Sequence, residues 1–208
     1  MRKKILFVLL TIAFSGAATA QSNTTNAGII INGVRWATCN VEEAGIFADS
    51  PESSGKLYQW NRNIAWSATD SPITNWDNTR PEGEEWEKVN DPSPAGWRLP
   101  TMAEITSLLD KSKVSNEWTT LNGVNGLKFK DIKTGNSIFL PAAGYRINIE
   151  DGKFYEKNGY GHYWSSEQSD GAYAYGLHFD SRKIDYYYYD LYRSDGRCVR
   201  PVYCQTAR

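Results

Sequence analysis

The stretch Gly96-Trp97-Arg98-Leu99-Pro100-Thr101 leads into the clearest helical pattern in the chain. Apolar residues then recur at positions 102, 105, 108 and 109, which gives a helix one apolar face. Glu104 follows Thr101 by three residues, the spacing of a capping box, in which each side chain accepts a hydrogen bond from the other's backbone N–H. We therefore predict one main helix over about residues 101–112, with Trp97 and Leu99 packed on its apolar face.

The first twenty residues have the pattern of a signal peptide. Basic residues at 2–4 precede an apolar run at 5–14, and Ala18-Thr19-Ala20 supplies small residues for cleavage. The run is too short to span a bilayer, and no cysteine follows it for lipid attachment. We expect export through the general secretory route to the periplasm, the cell surface or the medium, without a lipid anchor. The predicted organisation is a signal peptide at 1–20, a disordered lead-in at 21–28 and one domain at 29–208.

The composition indicates an ordinary globular domain. The 188 residues after the signal peptide suffice for a substantial core. They carry 20 basic and 24 acidic residues, a net charge of −4, which argues against a nucleic-acid partner. The chain also contains eight Trp and thirteen Tyr. Because these side chains join an apolar body to a polar tip, they suit half-buried sheet faces and binding surfaces.

Turn signals divide much of the chain into antiparallel hairpins. The predicted pairs are 29–40 around Asn32-Gly33, 127–140 around Thr134-Gly135 with Phe129, Ile138 and Leu140 facing inward, and 145–155 around Asp151-Gly152. Further strands are expected at 172–179, where Tyr173, Tyr175, Leu177 and Phe179 face the core, at 184–192, and at 197–204. The predicted fold class is α+β, a single domain of antiparallel hairpins with one main helix.

Residues 41–90 combine two signals. They are rich in Pro, Gly and Ser, which predicts loops. They also carry Tyr58, Trp60, Trp66, Trp76 and Trp86, which a disordered linker would lack. We predict a long ordered loop region that folds back on the domain through these rings.

Three cysteines, Cys39, Cys198 and Cys204, allow one disulfide and leave one thiol. Their spacing is not that of a metal site, and we predict no metal and no cofactor. A nucleophilic cysteine needs a nearby histidine, and the sequence places neither His162 nor His178 beside one. We predict no catalytic residue.

A set of short motifs runs through the chain in a fixed order. They are Gly33-Val34-Arg35-Trp36-Ala37-Thr38-Cys39-Asn40-Val41, Leu57-Tyr58-Gln59-Trp60, Asn90-Asp91-Pro92 with Gly96-Trp97-Arg98-Leu99-Pro100-Thr101, Asn122-Gly123-Val124-Asn125-Gly126, Ile138-Phe139-Leu140-Pro141-Ala142-Ala143-Gly144-Tyr145-Arg146, Tyr163-Trp164-Ser165-Ser166 and Val199-Arg200-Pro201-Val202. Together they resemble the Fibrobacter succinogenes major paralogous domain, a family of exported bacterial domains. We call seven of these positions the signature residues: Trp36, Trp97, Arg98, Trp164, Ser165, Ser166 and Arg200.

The resemblance implies a compact α+β domain similar to C-type lectin-like and formylglycine-generating-enzyme-like folds, in which the N- and C-terminal strands pair. It implies no enzymatic activity. Relatives usually have cysteine at the position of Ser93, as the partner of the one at Cys39. The resemblance therefore favours a replacement bridge from Cys39 to Cys198, with Cys39 to Cys204 second. Asn61 replaces a glycine, and asparagine is among the least costly substitutes where φ is positive.

The favoured function is an exported, non-catalytic recognition module that binds glycan or a cell-surface protein. Its candidate binding residues are consecutive in a predicted strand: Tyr186, Tyr187, Tyr188 and Tyr189. Two of the four must point away from the face on which the other two pack, and exposed rings anchor ligands and partners. The alternative is that they are strand formers in a half-buried sheet. A calcium site would need clustered acids, whereas Asp180, Asp185, Asp190 and Asp195 are evenly scattered.

Two other classes of function stay open. A structural or assembly subunit of a surface appendage would use edge strands to pair with its neighbours. A formylglycine-generating type of oxidoreductase would need paired cysteines. Cys198 and Cys204 would lie about 20 Å apart on one regular strand, which is too far for a disulfide. The sequence leaves the ligand and the oligomeric state open.

Overall fold

A computed structural model describes residues 26–187 and 191–204, and only the backbone of Tyr186 and Tyr187. The predicted signal peptide and most of the lead-in lie outside the described residues. In chain order the elements are β1 (Ile29–Ile31), β2 (Val34–Trp36), β3 (Leu57–Tyr58), β4 (Trp97–Arg98), α1 (Met102–Ser107), β5 (Val114–Leu121), β6 (Val124–Asp131), β7 (Ser137–Pro141), β8 (Tyr145–Ile147), a 3-10 turn (Asn148–Glu150), β9 (Lys153–Tyr155), β10 (Gly161–Gln168), β11 (Ala174–Phe179), β12 (Ile184–Tyr187), β13 (Arg197–Cys198) and β14 (Val202–Tyr203). The described chain is one mostly β domain with one short helix.

The strands form four sheets, ordered β1-β2-β14-β4, β12-β11-β10-β13-β3, β5-β6-β7 and β8-β9. The first and last parts of the chain meet in the four-stranded sheet, where Trp36 of β2 pairs with Val202 of β14. On its other side β14 pairs with β4, so that Trp97 lies opposite Tyr203. The 96–101 segment is therefore held by the last strand of the chain.

The capping box at the start of α1 is confirmed. The Glu104 N–H donates to Thr101 Oγ1 over 3.2 Å, and the Thr101 N–H donates to Glu104 Oε2 over 2.8 Å. The helix ends at Ser107, earlier than the predicted residue 112. Asp110 turns the chain instead, because its side chain accepts from the Ser112 N–H (3.0 Å) and its carbonyl from the Val114 N–H (2.8 Å). The chain thereby enters β5, a strand that the sequence pattern did not reveal.

The predicted hairpins are confirmed with small changes. Asn32 and Gly33 have φ of 46° and 83°, the left-handed values of a type I′ turn, and they join the paired residues Ile31 and Val34. Asp151 and Gly152 are also left-handed, with φ of 51° and 74°, but they end a longer loop rather than a two-residue turn, because Ile147 pairs with Lys153. Phe129, Ile138 and Leu140 are buried as expected. Residues 148–150 form a 3-10 turn rather than the end of a strand, because the chain must tighten before Asp151.

The predictions for the last third are partly wrong. Leu177 and Phe179 are buried as expected, but Tyr173 and Tyr175 are half-exposed. The predicted single strand at 197–204 is two strands in different sheets, β13 and β14. The break occurs at 199–201, where the Val199 and Pro201 carbonyls accept from the N–H groups of Val41 and Ala37 over 3.0 and 2.9 Å. Cys198 and Cys204 therefore do not share one strand face.

The long loop region folds back on the domain, as predicted. Tyr58 and Trp60 are completely buried, and Trp76 and Trp86 are nearly so. Asn61 has φ of 54°, the left-handed value expected of a glycine position. Its side chain also holds the loop, since Oδ1 accepts from the Glu87 N–H over 2.8 Å and Nδ2 donates to the Glu82 carbonyl over 2.9 Å.

Large polar and aromatic side chains tie these segments together inside the domain. Trp164 is fully buried and donates from Nε1 to the Tyr58 carbonyl over 2.7 Å. Arg200 is also buried, and its guanidinium donates to Asn40 Oδ1 (2.8 Å) and to the carbonyls of Ala37 and Phe139 (3.2 Å each). One arginine thus joins the N-terminal, central and C-terminal parts of the chain.

The expected disulfide is not present, because Cys39, Cys198 and Cys204 are all free thiols. The Cys198 thiol instead donates to the Ser54 carbonyl, 3.6 Å from its sulfur, while the Cys39 sulfur contacts the Thr38 hydroxyl at 3.7 Å. Burial raises the pKa of Cys198 to about 12, so this thiol is inert near neutral pH.

Candidate functional site

The signature residues fall into two groups in the structure. Trp36, Trp164, Ser165 and Arg200 are buried in the core. Trp97, Arg98 and Ser166 are only half-buried, and all three line one cleft of about 660 Å³. The full lining is Glu85, Trp86, Lys88, Asp91, Ser93, Pro94, Ala95, Gly96, Trp97, Arg98, Leu99, Thr101, Ser166 and Cys204. We call this cavity the signature cleft.

Hydrogen bonds from several segments fix the shape of the signature cleft. The Asp91 carboxylate accepts from the Ser93 N–H over 2.8 Å and from the Leu99 N–H over 3.2 Å, which holds the loop against β4. The Cys204 N–H donates to the Gly96 carbonyl over 2.9 Å, which holds the start of β4 from the other side. Backbone held in this way needs little reordering when a ligand binds.

A second set of hydrogen bonds joins the end of β10 to other segments that line the signature cleft. The Ser166 N–H donates to the Pro100 carbonyl, and the Trp86 N–H donates to the Ser166 carbonyl, each over 2.8 Å. The Trp86 indole N–H donates to the Asn90 carbonyl over 2.8 Å. The loop region at 41–90 is therefore part of the cleft, through the tryptophan that anchors it.

Trp97 belongs to an aromatic group at the rim of the signature cleft. Its ring meets Phe47 edge-on at 5.5 Å and Tyr203 edge-on at 5.3 Å. The Arg35 guanidinium lies 5.6 Å from the centre of the Tyr203 ring, and Tyr203 is 45% exposed. We predicted Trp97 and Leu99 on the apolar face of α1, which is wrong, because Leu99 packs with the Trp60–Trp164 cluster and Trp97 faces the rim.

The charges around the cleft are of both signs. Arg98 makes a two-pronged ion pair with Glu104, with Nη1–Oε2 at 2.8 Å and Nη2–Oε1 at 2.6 Å. Partial burial by itself would raise the pKa of Glu104, but the hydrogen bonds from Arg98 and Thr101 and the charge of Arg98 lower it below its ordinary value. The hydrogen bonds to Glu104, followed by the charge of its carboxylate, raise the pKa of Arg98. Exposed Glu85 and Lys88 complete a lining that offers both donors and acceptors.

The two histidines lie elsewhere, paired across β10 and β11. Arg197 Nη1 is 2.6 Å from His162 Nδ1, so this nitrogen accepts a hydrogen bond, and His178 Nδ1 lies 3.2 Å from the same atom. Arg197 also donates to Asp195 Oδ2 over 2.9 Å. Burial, followed by the charges of Arg197 and His178, lowers the pKa of His162 well below its ordinary value. We call these four residues the histidine cluster.

The predicted site residues have different outcomes. Tyr188 and Tyr189 lie outside the described residues, as do the side chains of Tyr186 and Tyr187, so that the tyrosine binding site stays a prediction. Of the scattered acids, Asp185 pairs with Lys183, Asp195 is buried with Arg197, and Asp180 caps the turn before β12. Asp190 lies outside the described residues. Within 26–187 and 191–204 no group of three or more His, Cys, Asp or Glu side chains is placed to hold a metal ion.

Sequence reasoning found the segment that forms the signature cleft but did not recognise the cleft itself. It assigned Trp97 to the core and did not single out Trp86 or Asp91, which line the cleft. One signal was available, because Trp97 and Arg98 neighbour each other in a short strand, so that both side chains could not be directed into the core. The partners of β4 across the sheet were not visible in the sequence.

These features define a mostly β domain with a cleft whose lining combines aromatic, other apolar and polar groups. The sequence model of the Lcl C-terminal domain family matches residues 31–203, and the chain belongs to this family. This membership agrees with the resemblance drawn from the motifs. No curated protein and no solved structure matches the chain. Within the described residues no helix is long and apolar enough to cross a membrane.

Proposed function

We propose that this protein is an exported, non-catalytic recognition module that binds glycan in the signature cleft. The observation that carries the proposal is the placement of the three half-buried signature residues on one cleft. Residues that the core does not use line a concave surface together, which favours a ligand-binding role over a role in folding. The pattern of residues 1–20 supports export without a lipid anchor.

The chemistry of the cleft suits a sugar ring better than an apolar ligand. Half-exposed Trp97 and Tyr203 offer aromatic faces for the C–H face of a sugar. Asp91, Arg98 and Ser166 supply polar groups to the lining of the cleft, with which sugar hydroxyls could form hydrogen bonds. Specificity in such pockets comes from a few placed polar groups on an aromatic or apolar lining.

The experiment is a broad glycan array probed with the chain that follows residue 20, with and without calcium. Hits are then titrated into two matched variants. Tyr203→Ala removes a ring at the rim that packs edge-on against Trp97. Tyr192→Ala removes a ring of equal exposure, 45%, that packs at a tilt on Tyr173, and neither of these two residues lines the cleft. We expect Tyr203→Ala to lose at least about tenfold in affinity, and Tyr192→Ala to bind as the parent does. No array signal, or equal losses in both variants, would remove the glycan proposal.

The architecture is proposed to be similar to C-type lectin-like folds. The pairing of β2 near the N-terminus with β14 near the C-terminus supports this likeness. It would place ligand recognition in the long loop region, which here supplies Glu85, Trp86 and Lys88 to the cleft.

The second candidate is an assembly subunit of a surface structure, which would bind a protein partner. The observation that favours it is the open edge of β5. Cross-linking on intact cells separates the two candidates, because an assembly subunit is recovered with fixed neighbours of other sequence, and a free module, even one that pairs with its own copy, is not. A formylglycine-generating activity stays a distant alternative, for which Cys204 is the accessible thiol and Cys204→Ala the test.

A further inference from the structure

The strand β5 forms one edge of the three-stranded sheet β5-β6-β7. All eight of its residues pair with β6 without a register shift, from Val114 with Asp131 to Leu121 with Val124. Asn122 and Gly123 form the two-residue turn between them, with φ of 48° and 83°. A regular strand of this length on a sheet edge offers a template for another strand.

The turn decides which backbone groups of β5 face outward. In a two-residue hairpin the residues that flank the turn, Leu121 and Val124, are a hydrogen-bonded pair, and bonded and non-bonded pairs alternate from there. Asn116, Trp118 and Thr120 therefore direct their N–H and C=O groups away from β6. No hydrogen bond to these groups from another described residue is present.

Three other edge strands, β7, β1 and β3, have backbone groups that bond to described side chains or loops. The Phe139 carbonyl of β7 accepts from Arg200, and the Ile30 carbonyl of β1 accepts from Asn136 over 3.3 Å. Leu57 of β3 exchanges two backbone bonds with Trp66. By contrast β5 has no proline, no bulge and one charged residue, Glu117, and thus lacks the features that usually block edge pairing.

The edge is complementary to itself. When two copies of β5 run antiparallel around a two-fold axis at Trp118, Asn116 of each faces Thr120 of the other, and the outward groups meet as hydrogen-bonded pairs. On the opposite face of the strand Glu117 of each copy lies across from Thr119 of the other, so that no like charges oppose one another. Within its own chain Glu117 already pairs across the sheet with Lys128.

The core side of β5 is well anchored, which keeps the edge straight. Trp118 is half-buried, and its ring meets Phe179 of β11 edge-on at 6.3 Å. At the turn end Asn122 Nδ2 donates to Glu52 Oε1 over 2.8 Å. A strand that is ordered before it binds loses little further freedom when a second strand is added.

We propose that two copies of this chain associate through antiparallel pairing of β5, which joins their three-stranded sheets into one of six strands. None of the residues that line the signature cleft lies on β5. The dimer therefore carries two clefts, and it binds a repeating ligand more tightly than one domain can wherever the ligand reaches both.

The test is sedimentation velocity over a concentration series from micromolar to about one millimolar, with the chain that follows residue 20. Two variants at one position act in opposite directions. Thr119→Lys places a positive charge opposite Glu117 of the other copy, and Thr119→Glu places a negative one there. Because the two-fold axis repeats each contact, we expect Thr119→Lys to tighten the dimer about three- to tenfold and Thr119→Glu to weaken it by a similar factor.

Thr106→Lys and Thr106→Glu are the controls, since Thr106 is an exposed threonine on α1 away from the edge. They should leave the dissociation constant within about twofold, and thermal melts confirm that each variant folds. A monomer at every concentration overturns the proposal. The proposal is also overturned if a dimer forms but the two Thr119 variants do not shift its dissociation constant in opposite directions.

Discussion

The two halves of the signature differ in what they contact. Trp164 and Arg200 stand inside the domain and donate hydrogen bonds to backbone carbonyls of distant segments. Trp97 and Arg98 stand in an equally specific motif, yet they line a cleft and are half-exposed. A strong motif thus marks two different roles, and burial separates them. The core half specifies the fold, and the cleft half is free to contact a ligand.

The tryptophans give the largest expected contrast. Trp164→Ala should cost about 3 to 5 kcal/mol of unfolding free energy, because it removes a fully buried ring from the core. Trp97→Ala should cost about 1 to 2 kcal/mol, because much of that ring is already in water. Denaturant unfolding of both variants measures this difference. Equal losses would mean that the 96–101 segment is part of the core after all.

Arg200 and Arg98 differ in the same way as the two tryptophans, with a smaller expected loss of unfolding free energy. Arg200→Met should cost about 2 to 4 kcal/mol, because the acceptor groups of Asn40, Ala37 and Phe139 are left buried without donors. Arg98→Met should cost less than about 1 kcal/mol, since its ion pair with Glu104 is partly exposed to water. The same unfolding experiment applies, and a larger loss for Arg98→Met would contradict the division.

The two regions should also respond to acid at different pH. Burial lowers the pKa values of both His162 and His178 in the folded state. The unfolded chain therefore binds more protons below about pH 6.5, and stability falls as pH drops from there by up to about 1.4 kcal/mol per pH unit for each histidine. Burial raises the pKa of Asp195, so the folded state takes up a proton at this carboxyl more readily than the unfolded chain does. Its contribution to the pH dependence of stability therefore has the opposite sign. The pKa of Glu104 is lowered in the folded state, so the stability that its carboxylate contributes is lost as pH falls below its unfolded-state pKa, near 4.5.

Unfolding titrations between pH 5 and 7.5 measure the histidine contribution. The expected slope should flatten in His162→Gln and persist in Glu104→Gln, which changes only the cleft side. A parent protein whose stability does not change over this range would show that the histidine cluster is not held neutral by burial.

Substitution of a cysteine should have the smallest effect on the unfolding free energy, but the three thiols should differ clearly in reactivity. In denaturant without a reductant three thiols per chain should react, as the free cysteines require. In the folded protein Cys204, at the cleft, should react first, and Cys198 should not react because burial raises its pKa to about 12. Cys204→Ser should remove the fast phase with less than about 0.5 kcal/mol of lost stability. If only one thiol per chain reacted in denaturant, the other two cysteines would form the predicted disulfide, contrary to the structure.

Local features were predictable from the sequence. The capping box at Thr101, the type I′ turn at Asn32 and the left-handed Asn61 each depend on a few neighbouring residues. The aromatic anchoring of residues 41–90 was predictable too, because large rings in a loop need a partner surface.

Features that depend on distant partners were not predictable. Tryptophan is a residue type that often packs in a core, and only the pairing of β4 with β14 places the Trp97 side chain at the cleft. The strand at 197–204 breaks because Val199 and Pro201 bond the 37–41 segment, a contact between opposite ends of the chain. β5 was missed because its alternation is weak, with polar Asn116 and Thr120 on the same strand face as Trp118.

The most direct test of the central claim uses the indole N–H signals of tryptophan-labelled protein. Trp97→Phe and Trp164→Phe assign the two signals, and the saccharide with the strongest array signal is then titrated in. The account predicts that the Trp97 signal shifts in a saturable way while the Trp164 signal stays in place. A saturable shift that leaves the Trp97 signal unmoved would contradict it.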